Sequence, residues 1–75
     1  MAPPRRAAIR TPSIELGALL KWANLAATGG EAKGLIQQGR VVVNGKVERR
    51  RSRRLYPGDR VELGDRAVLI EHEGS

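Results

Sequence analysis

The chain has 75 residues, no cysteine and a formal net charge of +6. That length holds one domain with a small core, since a chain of about this size buries only roughly 60% of its unfolded surface. Without cysteine there is no disulfide framework or thiolate metal site, and no apolar run approaches the ~20 residues of a membrane span. The expectation is a cytoplasmic protein without a cofactor, a membrane anchor or a small-molecule substrate.

The opening "MAPPRRAAIRTP" is arginine-rich and acid-free and lacks the apolar stretch of a signal peptide, so residues 1–13 are expected to form a flexible basic arm. Residues 14–71 then make the folded domain and residues 72–75 a tail. In "LGALLKWANL", Leu16, Leu19, Leu20 and Ala23 recur at helical spacing, which predicts one short amphipathic helix with Pro12 and Ser13 as its start signal. Trp22 flanks that stripe and is expected to pack at the rim of the core.

"TGGEAKGLIQQG" follows. Thr28 with Glu31 forms a capping-box pattern and Gly39 is a natural stop, which predicts a second helix from about Gly29 to Gln38 with Ala32, Leu35 and Ile36 buried. Gly29, Gly30 and Gly34 weaken it, at roughly 1 kcal/mol each relative to alanine when interior, and are expected to serve close approach by the other helix or by a ligand backbone.

From Arg40 the period changes. "RVVVNGKVE" is β-branched and broken by Asn44-Gly45, a hairpin signal. "LYPGDRVELGDRAVLIE" supplies a turn at Pro57-Gly58-Asp59, a strand with Val61 and Leu63, a Gly64-Asp65 turn and a last strand with Val68 and Ile70. The fold class is therefore α+β, two short helices packed on one side of a small antiparallel sheet.

Charge is unevenly placed. Residues 1–39 carry five basic and two acidic side chains, residues 40–60 eight and two, residues 61–75 one and four, giving +3, +6 and −3. Five of the six residues from Arg49 to Arg54 are arginine. On a strand, Arg49, Arg51 and Arg53 would face one way and Arg50 and Arg54 the other, so this stretch must be an edge or an exposed loop. Arginine's planar five-donor fork suits phosphate oxygens. Lys33, Gln37, Arg40, Asn44 and Lys46 extend a polar stripe from the second helix to the hairpin, readable as a second contact surface or as an ordinary wet face.

Enzymatic constellations are nearly absent. His72 is the lone histidine and falls near the C-terminus between two glutamates, Asp59 and Asp65 sit in turns, and "TGGEAKG" lacks the spacing of a phosphate-cradling loop. Catalysis is not expected. With Trp22 and Tyr56 as the only aromatic residues, the stacking platform of a single-strand binder cannot be built, which favours structured nucleic acid read by shape and backbone. Two other readings of the basic face stay open: a protein-interaction module for an acidic partner, and a nonspecific DNA-binding protein.

"GGEAKGLIQQGRVVVNG" and "LYPGDRV", in that order and at that separation, resemble the S-four RNA-binding domain (alpha-L motif), especially its small stand-alone bacterial YbcJ-like members. The likeness spans about residues 14–70. It implies a two-helix, small-sheet fold that binds structured RNA, ribosomal or transfer RNA, with the ribosome as a further partner. It also implies an RNA-binding set of Lys33, Gln37, Arg40, Asn44, Lys46, Arg49, Arg50 and Arg51, helped by Arg53 and Arg54. Larger relatives carry this module on pseudouridine synthases, methyltransferases and tyrosyl-tRNA synthetases. The arm, with Arg5, Arg6 and Arg10, has no counterpart in the resemblance.

Overall fold

A computed structural model describes residues 4–74. The elements run β1 (Arg5–Ile9), β2 (Ile14–Glu15), α1 (Leu16–Trp22), α2 (Gly29–Gln37), β3 (Val41–Val43), β4 (Lys46–Val47), β5 (Arg54–Leu55), β6 (Arg60–Leu63) and β7 (Arg66–His72). The large sheet has the order β1-β7-β6-β3-β4, and β2 pairs with β5 in a separate two-residue ribbon. Two helices on a sheet make the expected α+β fold.

Both helices answer to their periodicity, except that Leu35 of α2, expected buried, is only partly so and packs against the core. Leu16, Leu19 and Leu20 of α1 and Ala32 and Ile36 of α2 are buried. They meet Val41, Val43, Val61, Leu63, Val68 and Ile70 from alternate positions of three antiparallel strands. Full burial of each large aliphatic side chain contributes about 1.5–3 kcal/mol, so this single layer supplies most of the driving force. Thr28 caps α2, its Oγ1 accepting from the Glu31 N–H at 3.1 Å. At the other end Gly39 takes a left-handed φ of 73°, which lets the chain leave the helix and enter β3. The Asn44-Gly45 pair, at φ 50° and 85°, closes the β3–β4 hairpin as a two-residue loop.

The largest departure from expectation is at the N-terminus. Arg5–Ile9, read from sequence as part of a flexible arm, is a strand that pairs in parallel with β7, so the sheet is mixed rather than purely antiparallel. Ala7 and Ile9 are buried in the core. Two arginines masked an apolar alternation, Ala7-x-Ile9, too short to stand out. The expected tail is also partly tied in: His72 ends β7, and the Glu73 N–H donates to the Ile9 carbonyl at 2.7 Å.

The start signal for α1 differs as well. Neither Pro12 nor Ser13 caps it; Glu15 is the N-cap residue and makes no side-chain cap bond. Nor do the glycines of α2 admit a neighbouring helix. A methyl group on Gly29 would meet nothing within 4 Å, and on Gly30 or Gly34 only a side chain of α2's own cap or C-terminal end at 3.9 Å.

Burial of β1 predicts a stability effect that a flexible arm would not give. Ile9→Ala should lower the unfolding free energy by about 2–4 kcal/mol in urea denaturation. Substitution in a solvated arm would change it by less than about 0.5 kcal/mol.

Candidate nucleic-acid interface

The arginine-rich stretch crosses from β4 to β5 as a loop, with only Arg54 in a strand. Alternation of side chains along a strand therefore does not apply to it. The loop is nevertheless fixed. At its start the Glu48 N–H donates to the Val41 carbonyl at 3.0 Å, extending the hairpin ladder. At its end Arg54 and Leu55 pair with Glu15 and Ile14. Between these points its carbonyls cap α1: Arg53 O accepts from the Leu16 N–H at 2.9 Å and Arg51 O from the Gly17 N–H at 3.0 Å. These bonds satisfy helix-terminal donors that Pro12 and Ser13 leave unmet.

Glu48 fills the inside of the loop. It is the only buried charged residue among those described, at 9% exposure. One oxygen, Oε2, accepts from the N–H groups of Arg49 (3.1 Å) and Arg50 (3.2 Å) and from Arg50 Nε (3.4 Å). The other, Oε1, accepts from Arg53 Nη1 at 2.7 Å. The Arg53 bond, and behind it the backbone and side chain of Arg50, hold the carboxyl at about 2, below its ordinary 4.5, against the opposing effect of burial. A carboxylate so held stays ionised at neutral pH and cancels part of the repulsion among five neighbouring guanidinium groups.

Two glycines give the arginine side chains their seats. A methyl group on Gly17 would stand 2.8 Å from Arg51 Cγ, so that side chain lies directly on the first turn of α1. At Gly39 a methyl group would stand 2.7 Å from Arg49 Nη2. The Arg49 guanidinium thus covers the C-terminal end of α2, where Nη1 also reaches the Gln37 carbonyl at 3.5 Å, a favourable place for a cation. Arg54 Nη1 lies 3.4 Å from Ser13 Oγ.

The ten residues expected at the site divide by what they touch. Lys33, Gln37, Arg40, Lys46, Arg49, Arg50, Arg51 and Arg54 are all exposed. Of these, only Arg50 pairs with a carboxylate among the described residues, and its side chain is still 75% exposed. Arg49 joins the loop to α2 and Arg51 joins it to α1. Arg53 is instead half-buried and committed to Glu48. Asn44 is committed too: its Nδ2 donates to Asp59 Oδ1 at 3.0 Å and its Oδ1 accepts from the Arg60 N–H at 2.9 Å, locking the hairpin to the following turn. The acidic residues of the last strands bind elsewhere, Glu62 to Arg60, Glu71 to Arg6 and Glu73 to Arg10, so they do not compete for the loop.

Glu48 is the residue that sequence reading missed. Its signal was a single acid leading directly into the arginine run. Trp22 also departs from expectation: it is 58% exposed rather than packed at the core rim, with its indole N–H donating to the Ala8 carbonyl at 2.8 Å. That bond depends on β1. No group of acidic, histidine or cysteine side chains among the described residues could hold a metal ion, and no described helix is long and apolar enough to cross a membrane.

Glu48→Gln should lower the unfolding free energy at pH 7 by about 2 kcal/mol, the scale of hydrogen bonds to a charged group. Because the folded carboxyl titrates near 2 and the unfolded one near 4.5, its contribution is complete above pH 4.5 and is lost as pH falls toward 2. Paired urea titrations of the two proteins should therefore converge across that window.

The model of the S4 domain matches residues 7–71, which takes in the last part of β1 from Ala7, both helices and the arginine loop. Among curated proteins, "Probable ribosome maturation protein RlbA" of Bacillus subtilis (strain 168) is 44% identical over 55 residues, 73% of this chain and 78% of that protein. With nearly the whole described fold inside the matched span, the chain belongs to the S4 domain family.

Proposed function

We propose that this protein binds structured RNA, ribosomal RNA or a ribosome-associated complex, through the arginine loop and the adjoining face of α2, and that it acts by binding rather than by catalysis. The observation that carries the reading is the fixed loop between Glu48 and Arg54. Its backbone is bonded to α1, to β3 and to its own buried carboxylate, while Arg49, Arg50, Arg51 and Arg54 stay exposed. Guanidinium groups held in position before the ligand arrives lose less freedom on binding than a flexible basic arm would.

Lys33, Gln37, Arg40 and Lys46 extend the surface on α2 and the hairpin, and Arg53 and Asn44 support it by holding the loop and the turn. The family suggests RNA as the ligand. The name of the Bacillus subtilis relative, a ribosome maturation protein, favours ribosomal over transfer RNA and agrees with a cytoplasmic setting. Duplex DNA offers the same phosphate charge, but its groove shape and missing 2′-hydroxyls should make it the weaker ligand.

Binding to a structured ribosomal RNA fragment should depend steeply on salt, with a log-log slope of about −4 if roughly five phosphates are neutralised. Replacing Arg49, Arg50 and Arg51 together with alanine should bring that slope to about −2 and leave the circular dichroism spectrum unchanged. An unchanged slope, or equal binding to duplex DNA of the same length, contradicts the proposal.

A further inference from the structure

Trp22 is exposed and held. Its N–H edge is tied to the Ala8 carbonyl at 2.8 Å, yet 58% of the residue faces solvent. A tryptophan held by one edge keeps a ring face open with reduced rotamer freedom, which lowers the ordering cost of anything that stacks on it. Beside it is a groove of about 370 Å³ lined by Ile14, Ala18, Lys21 and Trp22. Ala18 and Trp22 are four residues apart on α1, so roughly 6 Å of helix rise separates them and the small alanine leaves a floor in front of the indole.

The groove does not stand alone. Ala18 and Lys21 also line a second groove of about 390 Å³, with Glu15, Gly17, Gly29, Arg51 and Ser52. The apolar seat thus opens toward Lys21 and Arg51, and through Arg51 it is continuous with the arginine loop. Lys21 and Arg51 make no ion pair among the described residues, while Glu15 is the one acidic side chain along this path.

Resting on the RNA-binding reading, we propose that the groove seats one unpaired nucleobase of the bound RNA, stacked on Trp22, with the phosphates flanking that nucleotide on Lys21 and Arg51. A flat, uncharged ring joined to an anion on each side matches an apolar floor with a cationic mouth. A purely apolar protein side chain would leave both cations without a partner. One aromatic platform takes one base, so the feature recognised is a bulged or looped-out nucleotide within a folded RNA rather than a single strand. The arginine loop would grip the helix, and Trp22 would select where along it the protein stops.

Trp22 is the only tryptophan in the chain and reports on its own occupancy. The probes are two RNA hairpins of equal length and charge, one fully paired and one with a single bulged adenosine. Wild-type protein should bind the bulged hairpin roughly 5- to 100-fold more tightly, the range expected for one stacked base, with quenching of Trp22 fluorescence. Trp22→Leu should lose that preference and bind both hairpins as the wild type binds the paired one, with an unchanged salt slope. Trp22→Phe, which keeps a ring but loses the bond to Ala8, should retain part of it.

Equal wild-type binding to both hairpins with an unmoved Trp22 signal overturns this inference and leaves the RNA-binding proposal standing. Binding to neither hairpin overturns both. Quenching by a leucine-rich peptide but not by the bulged hairpin also overturns it, assigning the groove to a protein side chain.

Discussion

A run of five arginines in six positions repels itself, and in most chains it would stay extended in water. Here one carboxylate reverses that tendency. Fixing residues 48–53 costs about 1–2 kcal/mol of backbone entropy per residue, and an ordinary surface ion pair, at about 0–1 kcal/mol, could not offset it. Glu48 is not an ordinary surface pair. It accepts four hydrogen bonds, two from backbone and two from guanidinium groups, the bond from Arg53 Nη1 at 2.7 Å being the strongest and that from the exposed Arg50 Nε at 3.4 Å the weakest. Together with the ladder bond to Val41 and the two carbonyls that cap α1, that is enough to hold the loop as part of the fold.

This arrangement separates the arginines by task. Arg53 turns inward and, with Arg50, neutralises the carboxylate that holds the loop. Arg49 and Arg51 turn outward onto seats that exist because Gly39 and Gly17 lack side chains, one at the end of α2 and one at the start of α1. The basic face is thus a product of the core: the helices that bury Leu16, Leu20 and Ile36 also provide the ends on which the guanidinium groups lie. Acidic residues of the C-terminal strands, which might have closed over the loop in a chain this small, are bound to arginines of β1, β6 and the segment after β1 instead. Excess positive charge therefore stays where a polyanion can meet it.

Much of this was legible in the chain. The helix stripes, the Thr28 cap, the Asn44-Gly45 hairpin and the change of period at Arg40 all rest on local signals that the structure repeats almost residue for residue. The exposed position of the arginines followed from charge on both faces of any strand they might form. What could not be read depends on contacts far apart in sequence. β1 is invisible without β7, because two apolar residues, Ala7 and Ile9, are too short an alternation to mark a strand until a neighbour pairs with it and buries them. Trp22 was misjudged for the same reason, since its partner is a carbonyl of that strand. Asn44 read as a surface residue and is a clamp on a turn fifteen positions away. Glu48 read as one more charge in a charged segment, and its importance lies in a burial that no periodicity announces.

The central claim is that the arginine loop is ordered in the free protein, before any ligand arrives. Backbone 15N relaxation of the unbound protein at neutral pH tests it most directly, through the order parameters of residues Arg49 to Arg53. Values of about 0.85, equal to those of β6 and β7, are what a loop held by Glu48 and α1 requires. Values below about 0.6 would contradict the account and return these arginines to the status of a flexible charged segment.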